Sequence, residues 1–189
     1  MADEWSESHR FDRSVLPLAD RHYNRRTPGS PQFVPPGRCV VLKRGSPANA
    51  VWVTSWPFVE FTKHAWAGAW VNSMFRNEGN GLSSCLIREA VAHTRWKWPN
   101  TPALGMVTFI DPAKVKPRKI RSRPTWGHSY FEAGFHHVGY TKGGLWAFLL
   151  RPEDMPEAVA PMGVAAQMFP AVDRKMERIS RRLEAAPGP

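Results

Sequence analysis

Hydrophobic positions recur along this chain with two spacings. Positions 82, 86, 87, 90, 91, 94 and 98 fall on one stripe at helical period, which predicts an amphipathic helix from Leu82 to Trp98 lying on a sheet. "LGMVTFI" (104–110) is a short unbroken apolar run, the mark of a central strand covered on both faces, and Asp111-Pro112 ends it. Strands are predicted at Cys39–Lys43 and Ala50–Ser55, parted by the turn signal R-G-S-P-A-N, and a third at Ala69–Phe75. Farther on, "WGHSYFEAGF" predicts a short helix stopped by Gly134, then "HHVGYT" and "LWAFLL" two strands across a K-G-G turn. Phe11, Val15, Leu18, Ala19 and His22 keep helical spacing, with Pro17 among them, so a helix over 11–23 is expected before a proline-rich loop. An arginine-rich helical stretch is expected near 174–184. The order predicts a mixed α/β (α+β) fold.

Length and composition narrow this further. The 189 residues suffice for one substantial core, read as a tail over 1–10, a domain over 11–151 and a C-terminal helical extension over 152–189. No apolar run of about 18 residues and no leader-like N-terminus occur, so no membrane partner is expected. Cys39 and Cys85 stand alone, which argues against a disulfide framework or structural zinc and suits a reducing cytoplasm.

Charge adds a candidate partner. The formal net charge is +10, and residues 1–150 carry 20 Lys/Arg against 10 Asp/Glu, whereas 151–189 carry six of each. Lys114, Lys116, Arg118, Lys119, Arg121 and Arg123 crowd the expected loop 112–125. Such a block reads either as a solvated loop or as a surface for a polyanion, with Arg25, Arg26 and Arg38 as further candidate phosphate contacts.

"RNEGNG" (76–81) precedes the long helix. Gly79 and Gly81 leave the backbone bare where the helix dipole and free N–H groups converge, with Ser83 and Ser84 as hydroxyl donors and Arg76 as a charge. The motif alone is either an anion cradle or a plain strand-to-helix turn. Followed by a buried strand and by Tyr130-x-x-x-Gly134-Phe135, however, it resembles the GCN5-related N-acetyltransferase (GNAT) superfamily. That resemblance implies a mixed sheet with splayed central strands flanked by helices, acetyl-CoA or a related acyl-CoA held by Arg76, Gly79, Gly81 and Ser83 or Ser84, and Tyr130 as general acid toward the departing thiolate.

His22-Tyr23, Asp111 and Tyr130, together with the basic loop, are similar to the Mom DNA-modification family of bacteriophages, divergent GNAT relatives. The resemblance implies conversion of adenine in double-stranded DNA to N6-carbamoylmethyladenine as protection against restriction, in the host cytoplasm. It places His22, Tyr23, Asp111 and Tyr130 in the active centre, as acid/base groups or as an N/O ligand set for iron. An adenine lifted from a duplex needs an aromatic wall, for which Phe33, Trp56 and Phe58 are candidates, each equally a core residue. His136-His137 read as exposed or packed rather than metal-bound. Two other readings stay open: a conventional acetyl-CoA-dependent N-acetyltransferase acting on a small amine or a protein, and a non-enzymatic DNA-binding module on a degenerate scaffold. The C-terminal helix is read as a tail or as a homodimer element.

Overall fold

The computed structural model describes residues 4–79 and 81–163. Its strands in chain order are β1 (Ser6–Ser8), β2 (Cys39–Arg44), β3 (Ala50–Ser55), β4 (Trp70–Asn77), β5 (Met106–Ile110), β6 (Arg118–Ile120), β7 (Arg123–Thr125), β8 (His136–Tyr140) and β9 (Trp146–Leu150). The helices are α1 (Leu16–Asp20), α2 (Ser83–Lys97) and α3 (His128–Glu132). The expected helix at 174–184 lies outside the described residues.

Seven strands make one mixed sheet in the order β1-β2-β3-β4-β5-β9-β8, and β6-β7 form a separate hairpin. Alternation decides which side chains face where. On one face Val40, Leu42, Trp52, Trp70, Met106 and Phe148 pack under the α2 stripe, where Leu86, Ile87, Ala90 and Val91 are buried as the periodicity predicts. Thr94, the polar member of that stripe, is satisfied by donating to Ala90 O at 2.8 Å and lying 3.3 Å from Thr54 Oγ1. On the other face α1 and the proline-rich loop bury Val15, Leu18, Phe33 and Val34 against Val41, Val51, Val53 and Met74. No described helix is long and apolar enough to cross a membrane.

The mixed α/β fold expected from the sequence is present, and three local expectations are revised. The first helix covers only Leu16–Asp20: Pro17 sits in its first turn, where a missing N–H costs nothing, while Asp12 organises the preceding turn by accepting from Ser14 N. Strand β1 lies inside the stretch read as a tail, and beside it Trp5 is 1% exposed with its indole donating to Leu86 O at 3.2 Å. The basic stretch is the β6-β7 hairpin rather than a loop, turning through Arg121 (φ 47°) and Ser122 (φ 66°).

The central feature is the parting of β4 and β5. They run parallel and pair at Trp70–Met106, Val71–Val107 and Asn72–Thr108, then no farther, although β4 continues to Asn77 and β5 to Ile110. A register shift between Val53 and Thr54 marks a bulge that sets Ser73 outside the β3-β4 ladder, so the strand turns away just where the pairing ends.

Candidate active site

Where β4 and β5 part, their unpaired edges would leave polar groups without partners, and Asn72 answers much of that need. Its Nδ2 donates to Val53 O and Met74 O, both at 3.0 Å. Its Oδ1 accepts from Thr108 Oγ1 at 3.2 Å and from Tyr130 Oη at 2.6 Å. One buried amide thus joins β3, β4, β5 and α3, and leaving any of these groups orphaned would cost about 1–3 kcal/mol. The structure singles out Asn72, Thr108 and Phe75, which the sequence reading missed; the available signal was a lone amide inside the apolar strand "AWVNSMF".

A cavity of about 240 Å³ opens beside this junction, and its walls include His22, Tyr23, Phe75, Thr108 and Tyr130. His22, Tyr23 and Tyr130, distant in sequence, therefore share one cavity. Gly127 enables this: it caps α3 in the left-handed region (φ 69°), and a Cβ there would lie 2.5 Å from the Phe148 ring. Tyr130 packs edge-on against Phe75 and Phe135, and burial pushes its phenol well above the usual tyrosine range, offset in part by the Thr108 hydroxyl. Burial likewise raises Tyr23, whose hydroxyl donates to Phe109 O at 3.1 Å.

His22 stacks on Tyr23 with ring centroids 4.5 Å apart, and its Nδ1 accepts from Asn24 N at 3.2 Å. Burial first, and the Arg76 guanidinium second, lower its pKa to about 4, while a hydrogen bond to the Phe75 carbonyl works the other way. The ring is neutral at pH 7, with Nδ1 accepting from Asn24 N. Asp111 follows β5 but is not a wall of the cavity; its Oδ1 accepts from Ala113 N at 3.0 Å and Lys114 Nζ lies 3.7 Å from Oδ2. As a nest for iron, His22, Tyr23, Asp111 and Tyr130 fit poorly, because Asp111 is not in the wall that the other three share. No cluster of three or more His, Cys, Asp or Glu suited to a metal occurs among the described residues.

The glycine turn leads from β4 into α2. Gly81 has φ 123°, and a Cβ on Gly79 would lie 2.6 Å from the Asn49 side chain. Asn77 shapes the turn, accepting from Gly79 N at 3.1 Å and donating to Gly81 O at 3.2 Å and Ser83 Oγ at 3.1 Å. Leu82, the N-cap of α2, makes no side-chain hydrogen bond to the first turn. Ser84 is buried at that end. Arg76, by contrast, is turned away from the helix: it ion-pairs with Glu78 and donates to Arg21 O at 2.6 Å, while Arg21 pairs with the same carboxylate. Hydrogen bonds from Arg21, then from Arg76, hold Glu78 down at about 2. The bridge ties the turn to the segment that carries His22.

The β6-β7 hairpin borders the same cavity, with Lys116, Arg118 and Thr125 in the wall and no carboxylate among the wall residues. Trp126 fixes its base by donating to Val115 O at 3.0 Å. Lys116, Arg118, Lys119, Arg121 and Arg123 are exposed. Arg26 is exposed as well, and Arg38 is exposed with its guanidinium 4.3 Å above the Trp56 ring. Arg25 is different and is withdrawn as a surface contact: its side chain is 7% exposed, Nε meets Asp20 at 2.7 Å, and the other nitrogens donate to Gln32 O and Ser30 O. It pins the proline-rich loop.

The aromatic candidates do not gather in one wall. Phe33 is buried in the core against α1; Trp56 and Phe58 line a second cavity, outside the one that holds Tyr130. His136 and His137 are exposed on β8, with His137 against the Tyr140, Trp146 and Phe148 rings.

Comparison with known proteins bears on the fold. No family model matches the chain, and no curated protein matches it. Among solved structures it is similar to an aminoglycoside acetyltransferase, AAC(6′)-Ib, in complex with coenzyme A and kanamycin, with a TM-score of 0.55 and 14% identity over 81% of this chain and 96% of that one. The chain thus has the fold of GNAT acetyltransferases: a seven-stranded mixed sheet, flanked by helices, whose central parallel strands part.

Proposed function

We propose that this chain is an acyl-CoA-dependent N-acyltransferase, with acetyl-CoA as the donor, working at the parting of β4 and β5. The observation that carries the reading is Tyr130, a protonated phenol at the mouth of that parting, in a chain whose α2 starts after two glycines with no side-chain cap from Leu82. The first-turn amides of a helix suit the pyrophosphate of coenzyme A, and Ser83 and Ser84 stand beside them. Arg76 and Glu78 brace this turn. An acceptor amine attacks the thioester carbonyl, forming a C–N bond; collapse of the tetrahedral intermediate breaks the C–S bond. Tyr130 turns its hydroxyl from Asn72 Oδ1 to the leaving sulfur, gives it that proton and recovers one, through water, from the amine nitrogen. Burial keeps the phenol protonated at neutral pH and also makes it a weaker acid, so the proton moves as negative charge builds on the sulfur. His22 and Tyr23, in the same cavity wall, position the acceptor.

Release of free thiol from acetyl-CoA across a panel of amines tests this reading. Turnover lost in Tyr130→Phe with the fold intact is expected. Equal turnover in the variant would remove Tyr130 from the chemistry.

A second reading, Mom-like modification of adenine in DNA, draws support from the walls themselves. Lys116 and Arg118 face the cavity and no carboxylate does, so a polycationic acceptor such as kanamycin finds no counter-charge there, whereas a polyanion does. Mass spectrometry of nucleosides from plasmid DNA, recovered from cells expressing the wild type or Tyr130→Phe, separates the two. A new adenine derivative with wild type alone supports the DNA acceptor; none, beside thiol release with an amine, leaves the small-amine or protein acceptor. The same cations also suit coenzyme A phosphates. Lys116→Gln with Arg118→Gln distinguishes these uses by whether affinity for coenzyme A or for DNA falls.

A further inference from the structure

The second cavity, of about 540 Å³, is separate from the one holding Tyr130. It lies between the end of the proline-rich loop, Pro35–Arg38, and the segment Trp56–His64. Three features set it apart from ordinary surface. Phe58 and Phe61 are 61% and 77% exposed, edge to face with centroids 6.3 Å apart, although neither ring is needed by the core. Arg38 has its guanidinium carbon 4.3 Å over the Trp56 ring and Lys63 is exposed; among the described residues neither has a carboxylate partner and no carboxylate lines the cavity. Phe109 walls both cavities, and its carbonyl takes the Tyr23 hydroxyl, so the groove abuts the reaction pocket.

Exposed π-faces flanked by unpaired cations complement a ligand that alternates planar rings with negative charge. An acidic peptide matches the cations but not the paired rings, and an apolar peptide matches the rings but leaves Arg38 and Lys63 uncompensated. We propose that this groove binds single-stranded nucleic acid, its bases stacking on Phe58 and Phe61 while Arg38 and Lys63 meet the phosphates. The inference deepens the DNA reading by naming an unpaired strand as what the surface beside the reaction pocket grips, and it does not depend on acyl transfer.

Fluorescence anisotropy of a labelled 15-nucleotide mixed-sequence single strand, and of the same sequence as a duplex, tests it on the full chain. Phe58→Ala with Phe61→Ala changes only exposed rings. Single-strand affinity is expected to fall roughly tenfold to a hundredfold, duplex affinity to hold. Arg38→Gln should lower single-strand affinity and its salt dependence. Unchanged single-strand affinity in the double variant overturns the proposal, as does an equal loss on both probes, or poly-glutamate binding the wild type as tightly as the single strand. Wild type that binds duplex alone overturns the groove and spares the DNA reading. Binding of neither probe removes both, and acetyl-CoA turnover on a small amine is untouched by any of these results.

Discussion

The cleft between β4 and β5 and the hairpin that borders it satisfy their polar groups in opposite ways. In the cleft the polar groups at the strand junction bond within the fold: Asn72 uses both amide hydrogens and its oxygen, Tyr23 donates to Phe109 O, and His22 Nδ1 accepts from Asn24 N. In and just before the hairpin, Lys116, Lys119 and Arg121 are exposed with no carboxylate partner among the described residues. Groups that bond within the fold gain position, which a proton transfer needs; groups left unpaired gain nothing until something outside arrives. Glu78 shows the first logic applied to charge, since its one carboxylate pairs with both Arg21 and Arg76 at the edge of the cleft.

The sharpest way to break this contrast is Tyr130→Phe. It removes one proton and one hydrogen bond; turnover of acetyl-CoA should fall by about 10²–10⁴, with a stability loss of only about 1 kcal/mol. Thiol-release kinetics beside thermal melts check it, and a large melting shift with turnover retained would make the residue purely structural. Next comes His22. Its folded pKa of about 4 lies below the ordinary 6.5, so the unfolded chain binds the extra proton first; the stability is fully present above pH 6.5 and is lost as pH falls toward 4. Chemical denaturation across that window should show a decline of at most about 3 kcal/mol that His22→Gln lacks. A wild-type decline identical to that of the variant would assign it to other groups.

Smaller effects belong to the hairpin. Replacing Lys116, Lys119 and Arg121 by Gln should leave the melting point nearly unchanged while the slope of log affinity for DNA against log salt loses about two to three units. An unaltered slope would return these cations to solvation alone. The smallest effect concerns the turn itself. Arg121 and Ser122 both hold positive φ, which Asn-Gly adopts more easily, so Arg121→Asn with Ser122→Gly should stabilise by about 0.5–1 kcal/mol and still weaken DNA binding. Gain in both would show that the turn residue does not meet the polyanion.

Sequence periodicity reached the elements whose faces differ in polarity. The α2 stripe, the β2-β3 pair and the buried run of β5 were legible because one kind of side chain repeats at a fixed spacing. Gly105, at φ 73°, shortens β5 to begin at Met106. The hairpin was illegible: three-residue strands of mainly exposed cations show no alternation, and Arg-Ser is not a turn signal. Strand β1 escaped because Ser-Glu-Ser is polar throughout and is held by backbone pairing, anchored by Trp5 just before it. In the site, His22, Tyr23 and Tyr130 were nameable from family resemblance, whereas Asn72 and Thr108 matter through hydrogen bonds that only the parting of two strands reveals. Arg25 and Arg26 adjoin in sequence yet differ in burial, which composition does not distinguish.

The Asn72 junction also constrains how this chain can change through descent. Asp at that position would lose both donors, Leu would strand two carbonyls and the Tyr130 hydroxyl, and Thr108 and Tyr130 share the one amide oxygen. Descendants that diverge everywhere else should therefore carry positions 72, 108 and 130 as one inherited unit, replaced together or not at all. Distant kin of this chain are better sought by that triplet across two parted strands than by overall identity.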